Sequence, residues 1–231
     1  MTRHLEATIL GVFTGKARDR WEGKAPSAIA KQATQESLWL SKTGLSGDEQ
    51  ADTAVHGGLE KALHHYAADH MPHWAGAWPE QAEFFQPGCF GENISSHGLT
   101  EANLCLGDIL KMDGATVQIC QGRQPCWKLN MHTGLAGMAP AFQKTGFTGW
   151  YYRVLEEGNV AAGGSIHLIE RLHPDWTLRR LISARFNPRL DPAEAAELSR
   201  MAVLAEGWRN AFARKVDPAF VENTDRRLKG M

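Results

Sequence analysis

The stretch Asp108-Ile109-Leu110-Lys111-Met112-Asp113-Gly114-Ala115-Thr116-Val117-Gln118-Ile119-Cys120 decides the fold class. Two apolar, alternating runs, 108–112 and 115–120, flank Asp113-Gly114, a dipeptide that tolerates positive φ and so closes a tight hairpin. Working outward, similar short runs closed by turn residues predict strands over 7–13 (ATILGVF), 27–31 (SAIAK) and 37–40 (SLWL). A later pair is expected at 151–155 and 165–170. Many short strands separated by turns favour a barrel or sandwich over alternating βα units. Helices interrupt the pattern: 68–78 carries His70, Met71, Trp74 and Trp78 at helical spacing, and 136–144 reads as a second short helix.

Composition changes after Arg171. His173-Pro174-Asp175 reads as a linker, and Thr177 is a good N-cap for the run LRRLISARF. Asp191-Pro192 places a cap before Pro at the first helical position, and a helix over 193–204 follows. Gly207 breaks the pattern, which resumes over 208–216. Three short helices with apolar stripes make a bundle too small to be secure alone, so it is expected to dock on the barrel. The boundaries read as a barrel over 1–171 and a helical extension over 172–231.

The chain has 231 residues, of which 43% are hydrophobic and 22% charged, enough to bury a core and too apolar for disorder. Lys plus Arg is 25 and Asp plus Glu is 26, a formal net charge of −1. That balance provides no global field for a polyanion, so neither nucleic acid nor a membrane surface is an expected partner. No apolar run reaches the ~20 residues a spanning helix needs. The N-terminal stretch lacks a long apolar core and a small-residue cleavage site, so the expected location is cytoplasmic. Cys89, Cys105, Cys120 and Cys126 are spaced by 16, 15 and 6 residues, which matches no short zinc-ligand spacing and predicts reduced thiols.

Three stretches could carry chemistry. The first contains His56-Gly57-Gly58 with Lys61 three residues on. Adjacent glycines let backbone N–H groups turn toward a phosphate or oxyanion, and Lys61 adds a point charge; taken alone, the stretch reads more readily as a plain surface turn with a satisfied histidine. The second is Phe90-Gly91-Glu92-Asn93-Ile94, either a polar ligand contact or a plain turn. The third is Gln121-Gly122-Arg123-Gln124-Pro125-Cys126-Trp127-Lys128-Leu129, where a strand ends, Pro125 stiffens the exit and Cys126 begins a helix. Arg123 and Lys128 give the cationic setting in which a thiolate attacks an electrophile or binds a soft metal, although a buried structural cysteine fits as well. His70 and His73 share a helical face without the His-Glu-x-x-His pattern of a zinc hydrolase, and there is no Gly-x-Ser-x-Gly elbow.

Taken in order, these pieces resemble the MOSC family, named for the C-terminal domain of molybdenum cofactor sulfurase. The likeness is to its stand-alone bacterial subfamily, which detoxifies N-hydroxylated purines and carries a three-helix extension. The residues that carry it are Gly44-Leu45, Gly47-Asp48-Glu49-Gln50-Ala51-Asp52, Val55-His56-Gly57-Gly58 with Lys61 and His65-Tyr66. Further on come Phe90-Gly91-Glu92-Asn93-Ile94, Gly98-Leu99-Thr100-Glu101, Gly107-Asp108 and Arg123-x-Pro125-Cys126-x-Lys128-Leu129.

The resemblance implies a mainly β, pyruvate-kinase-barrel-like fold, largely antiparallel, with inserted helices. It implies a pyranopterin molybdenum cofactor, with Cys126 as the catalytic residue and the ligand to the metal. His56, Gly57, Gly58, Lys61, Asn93 and Arg123 would lie around the pterin and its phosphate. The implied reaction is two-electron reduction of an N–OH group, with electrons from a separate flavoprotein reductase. A carrier of the cofactor, or of sulfur on Cys126, would need the same residues, and a cysteine- or zinc-dependent hydrolase is a third class. Gly122 stands where the subfamily often has Pro before Arg123, a change expected to loosen the strand exit.

Overall fold

The Asp113-Gly114 turn forms as expected: Asp113 adopts φ 50°, and Met112 pairs with Ala115 across the hairpin. The computed structural model describes residues 5–52 and 57–230. In chain order the first strands are β1 (Glu6–Thr14), β2 (Gln32–Thr34), β3 (Leu38–Ser41), β4 (Gly44–Leu45) and β5 (Leu63–Ala67). Helix α1 (Met71–Ala77) precedes β6 (Ile94–Ser96), β7 (Ile109–Met112) and β8 (Ala115–Gly122). Helices α2 (Trp127–Thr133) and α3 (Met138–Thr145) lead to β9 (Trp150–Glu156), β10 (Gly158–Val160) and β11 (Ser165–Glu170). Helices α4 (Leu178–Phe186), α5 (Pro192–Arg200), α6 (Glu206–Lys215) and α7 (Asp225–Lys229) complete the chain.

Seven strands in the order β11-β7-β8-β9-β5-β6-β1 close into a barrel through the β1–β11 pairing, and β2 extends β1 outside it. Closure removes the exposed edges that an open sheet would leave. Pairing is antiparallel except between β5 and β6, whose parallel register requires the crossover through α1. The barrel is therefore mixed and mostly antiparallel. A small sheet β10-β3-β4 packs beside it.

Strand β8 is buried along its whole length. Val117 and Ile119 belong to a core shared with Ile9, Leu63, Ile94 and Tyr152. On the other side, Gly122 lies under Ile182 of α4 and Trp208 of α6, and the Ala205 N–H donates to the Cys120 carbonyl (2.9 Å). Leu181, Ile182, Leu198, Trp208 and Phe212 join the same core, so the C-terminal helices share the barrel's interior. Asp108, fully buried, accepts two hydrogen bonds from Arg171 (2.6 and 2.9 Å) and one from the Cys105 N–H (2.8 Å), pinning the chain where the helices begin.

Several expectations need correction. Residues 27–31 form no strand; apart from one bridge between Ser27 and Arg18 they run as a loop, because Lys31 turns inward to pair with buried Asp48. The helix expected over 193–204 stops at Arg200, where Met201 turns extended so that Ala205 can reach β8. A fourth helix, α7, follows the three. Gly122, read in the sequence only as a change at the strand exit, permits a close approach of the helices to the strand. A Cβ there would meet Ile182 Cγ1 at 2.6 Å and Trp208 Cη2 at 3.0 Å. Gly122→Val should therefore cost about 1–3 kcal/mol through overpacking, read from urea denaturation. An unchanged unfolding midpoint would contradict this packing.

Candidate functional site

Cys126 sits where the chain leaves β8. The Arg123 N–H still pairs with the Gly149 carbonyl (3.0 Å), Gly149 is held by the buried Glu101 carboxylate (2.8 Å), and Pro125 then turns the chain. Cys126 is extended (φ −133°, ψ 167°) as the N-cap of α2, and its carbonyl accepts from the Leu129 N–H (2.9 Å). It is half-buried and lines two adjoining clefts, one narrow and one of about 780 Å³, which also share Lys61, Lys128 and Tyr151.

A buried polar bracket forms the back of the narrow cleft. Asp48 accepts from the Gly15 N–H (2.8 Å), from Asn93 Nδ2 (2.8 Å) and, very closely, from Lys31. Asn93 also donates to the Phe13 carbonyl (3.2 Å) and accepts from the His64 N–H (3.1 Å). Both amide donors of Asn93 are thus spent inside the protein, and the residue gives the cleft its shape. Burial lowers the Lys31 pKa, with Asp48 opposing the shift. Glu92 is fully buried and accepts from the Gly88 (2.5 Å) and Phe90 (3.0 Å) N–H groups; burial raises its pKa.

Two groups remain available to a ligand. The Arg123 side chain spends one donor on the Phe90 carbonyl (2.8 Å) and makes no other hydrogen bond among the described residues, although a guanidinium carries five N–H groups. His64 is 3% exposed, lines the narrow cleft and packs on Tyr151 with ring centroids 4.9 Å apart; its ring nitrogens make no close hydrogen bond, and the Thr148 backbone is the polar group nearest to pairing with them. Buried polar atoms without close partners are rare and costly. Lys61 closes the one-turn helix Leu59–Lys61 and lines both clefts; burial lowers its pKa while Cys120, Glu60 and Asp52 oppose the shift.

Of the residues expected from sequence, the fold brings together Lys61, Asn93, Arg123 and Cys126. Gly58, at φ 90°, lines a neighbouring depression with Asp48 and Gln50, and Gly57 does not line the narrow cleft. His56 lies outside the described residues. Sequence reasoning missed Lys31, Asp48, His64 and Tyr151. Asp48 stood inside a quoted motif, Lys31 was concealed by a false strand, and His64 was one of ten histidines with no ligand spacing. His70 is structural, bonded to Glu101 (2.6 Å) and stacked on Phe147. Among the described residues no three His, Cys, Asp or Glu side chains converge to hold a metal. No helix there is long and apolar enough to cross a membrane.

Comparison with known proteins agrees with this architecture. The MOSC domain profile matches residues 52–167, and a profile described as the YiiM-like 3-alpha helix domain matches residues 176–217. The chain is 40% identical to protein YiiM of Escherichia coli over 219 residues, covering 95% of this chain and 97% of that one. It is 37% identical over 167 residues to a protein named reductase from Gibberella moniliformis, covering 71% of this chain and 30% of that longer one. The crystal structure of YiiM from Escherichia coli superposes with a TM-score of 0.81 at 32% identity, covering 96% of this chain and 98% of that one.

The buried histidines give the site a pH dependence. His65, held between the Tyr152 hydroxyl (3.0 Å) and Ser96 Oγ (2.8 Å), is pushed by burial from 6.5 to about 3. His64 is pushed the same way, by burial first and by Arg123 second. Below pH 6.5 the unfolded chain binds protons that the folded chain refuses. Stability is thus full above that pH and declines toward pH 3, by up to about 1.4 kcal/mol per pH unit for each ring. Urea midpoints between pH 7 and 4 should fall less steeply in His64→Asn than in the parent protein. Equal slopes would contradict the neutral, buried state of His64.

Proposed function

The chain belongs to the MOSC family and carries a YiiM-like three-helix extension, and from that premise we propose that it is a molybdenum-cofactor-dependent reductase of N-hydroxylated compounds. Substrates of this class include N-hydroxylated purine bases. The observation that carries the reading is the contrast among the four cysteines. Cys126 alone of them opens into both clefts, with Arg123, Lys61 and Lys128 around it. Burial pushes Cys105 to about 11 and Cys120 to about 12, and raises Cys89 further. A thiolate is the form that binds a soft metal. The fungal relative's name, reductase, supports redox chemistry in the same direction.

The residues present fit such a cofactor. The open donors of Arg123, the half-buried Cys126 and the cations Lys61 and Lys128 line one cleft with His64, a donor set that suits an anionic, metal-bearing group. When bound, the cofactor supplies a two-electron redox centre. Cys126 would hold the metal, and Lys61 and Arg123 would hold the phosphate, with the Gly57-Gly58 turn nearby. The Asp48–Asn93–Lys31 bracket fixes the wall opposite, so these donors need no rearrangement on binding. The overall reaction takes two electrons and two protons and converts N–OH to N–H and water. A separate flavoprotein reductase is the proposed electron donor.

Cys126→Ser keeps size and packing, so it should fold normally and lose nearly all reduction of 6-hydroxylaminopurine in the presence of a flavoprotein donor. Lys61→Ala and Arg123→Ala should each weaken cofactor retention about tenfold, the loss of one charge-assisted hydrogen bond, read as molybdenum per chain. A fully active Cys126→Ser protein would contradict the reading. Parent protein that binds molybdenum but never turns over would leave a cofactor or sulfur carrier in its place.

A further inference from the structure

The C-terminal segment docks on the barrel and also reaches the cysteine loop. Arg227 donates through Nη1 to the Pro125 carbonyl (2.6 Å), immediately before Cys126, and through Nη2 to Gln143 Oε1 (2.7 Å). Glu222 takes both ends of buried Arg185 (2.6 and 2.8 Å), and Arg185 also donates to Gln124 Oε1 (3.2 Å). The Leu228 carbonyl accepts from Asn130 Nδ2 (3.0 Å), and Gly230 packs on Trp127. Residues 222–230 are thereby fastened along the loop at four points.

This fastening gives the wider cleft a wall that the barrel does not provide. Arg226 and Arg227 line, together with Lys61 and Lys128, the space that Cys126 and Trp127 also line. The carboxylate among its lining residues is Asp52, and Lys24 reaches the same rim through the Gly230 carbonyl (3.4 Å). Among the described residues, four cations against one carboxylate in a walled space favour negative charge, in a chain whose net charge is −1. Arg227 spends only part of its five-donor fork on Pro125 and Gln143, and Cys126 lies within its electrostatic reach.

We propose that the C-terminal segment completes a cationic chamber beside Cys126, in which Arg226 and Arg227 select substrates that carry a phosphate or carboxylate. Its place in the reductase rests on the function proposed above, but the chamber is tested without it. On metal-free protein, alkylation of Cys126 by iodoacetate and by iodoacetamide is followed by peptide mass spectrometry. The two reagents differ in charge and attack the same sulfur, so their rate ratio cancels changes in thiol ionisation and reports the local field. Arg227→Ala should lower the iodoacetate-to-iodoacetamide ratio about two- to threefold, and the exposed Arg226→Glu at least as much. Lys42→Glu, on the distant β3–β4 turn, should leave it unchanged. A ratio that holds in both arginine variants, or falls equally in Lys42→Glu, overturns the proposal. If Arg227→Ala fails to fold, Arg226→Glu decides alone. On molybdenum-loaded protein, Arg226→Glu should keep its metal and raise KM for a phosphorylated N-hydroxylated nucleoside, with KM for the free base unchanged. Loss of molybdenum instead would mean that the chamber holds the cofactor's own phosphate, and the substrate assignment falls. Absence of turnover in the parent would count against the reductase reading and leave the alkylation result to decide the chamber.

Discussion

The structure depends on one strand being buried on both faces. Strand β8 gives Val117 and Ile119 to the barrel interior and the Cys120 carbonyl and Gly122 to the C-terminal helices, and only a residue without a side chain lets Ile182 and Trp208 come so close at position 122. Dense packing of this kind leaves little room for movement, so the point where β8 ends is fixed in space. Cys126 lies four residues beyond it, on a loop stiffened by Pro125 and braced by Gln124 and the Pro125 carbonyl through Arg185 and Arg227. A sulfur placed in this way has its position set by the fold.

The cleft it faces is built by a second constraint, the cost of burying Asp48. A carboxylate withdrawn from water must be met by donors, and here a lysine, an amide and a backbone N–H meet it. That requirement draws the 27–31 loop, the 44–50 turn and the 90–93 turn to one place. The groups left over, Arg123 and His64, face the cleft with unspent capacity. The cleft is therefore shaped by the satisfaction of one buried charge, and Arg123 and His64 line it together with the cysteine.

Much of the barrel was legible in the sequence because its strands are short, alternating and closed by turns with specific chemistry, Asp113-Gly114 above all. Thr177 and Asp191 announced α4 and α5 as N-caps, and both side chains accept the expected N–H bonds. The loop at 27–31 was illegible since its alternation mimics a strand, while the deciding interaction, Lys31 with Asp48, spans 17 residues. Helix α7 escaped because Asp225-Arg226-Arg227-Leu228-Lys229 buries only Leu228 and shows no apolar stripe. Among site residues, Cys126, Arg123 and Lys61 announced themselves by charge and turn chemistry. His64 became visible only when its ring was found buried without a close partner.

The central claim is that Cys126 is the protein's ligand to a molybdenum centre, with the surrounding cations holding the rest of the cofactor. X-ray absorption at the molybdenum edge tests it most directly, on parent protein and Cys126→Ser produced in a host that makes the cofactor. The account predicts molybdenum in the parent and one fewer sulfur neighbour around the metal in the variant. An identical sulfur shell in both proteins, or a parent that takes up no molybdenum from such a host, would contradict it.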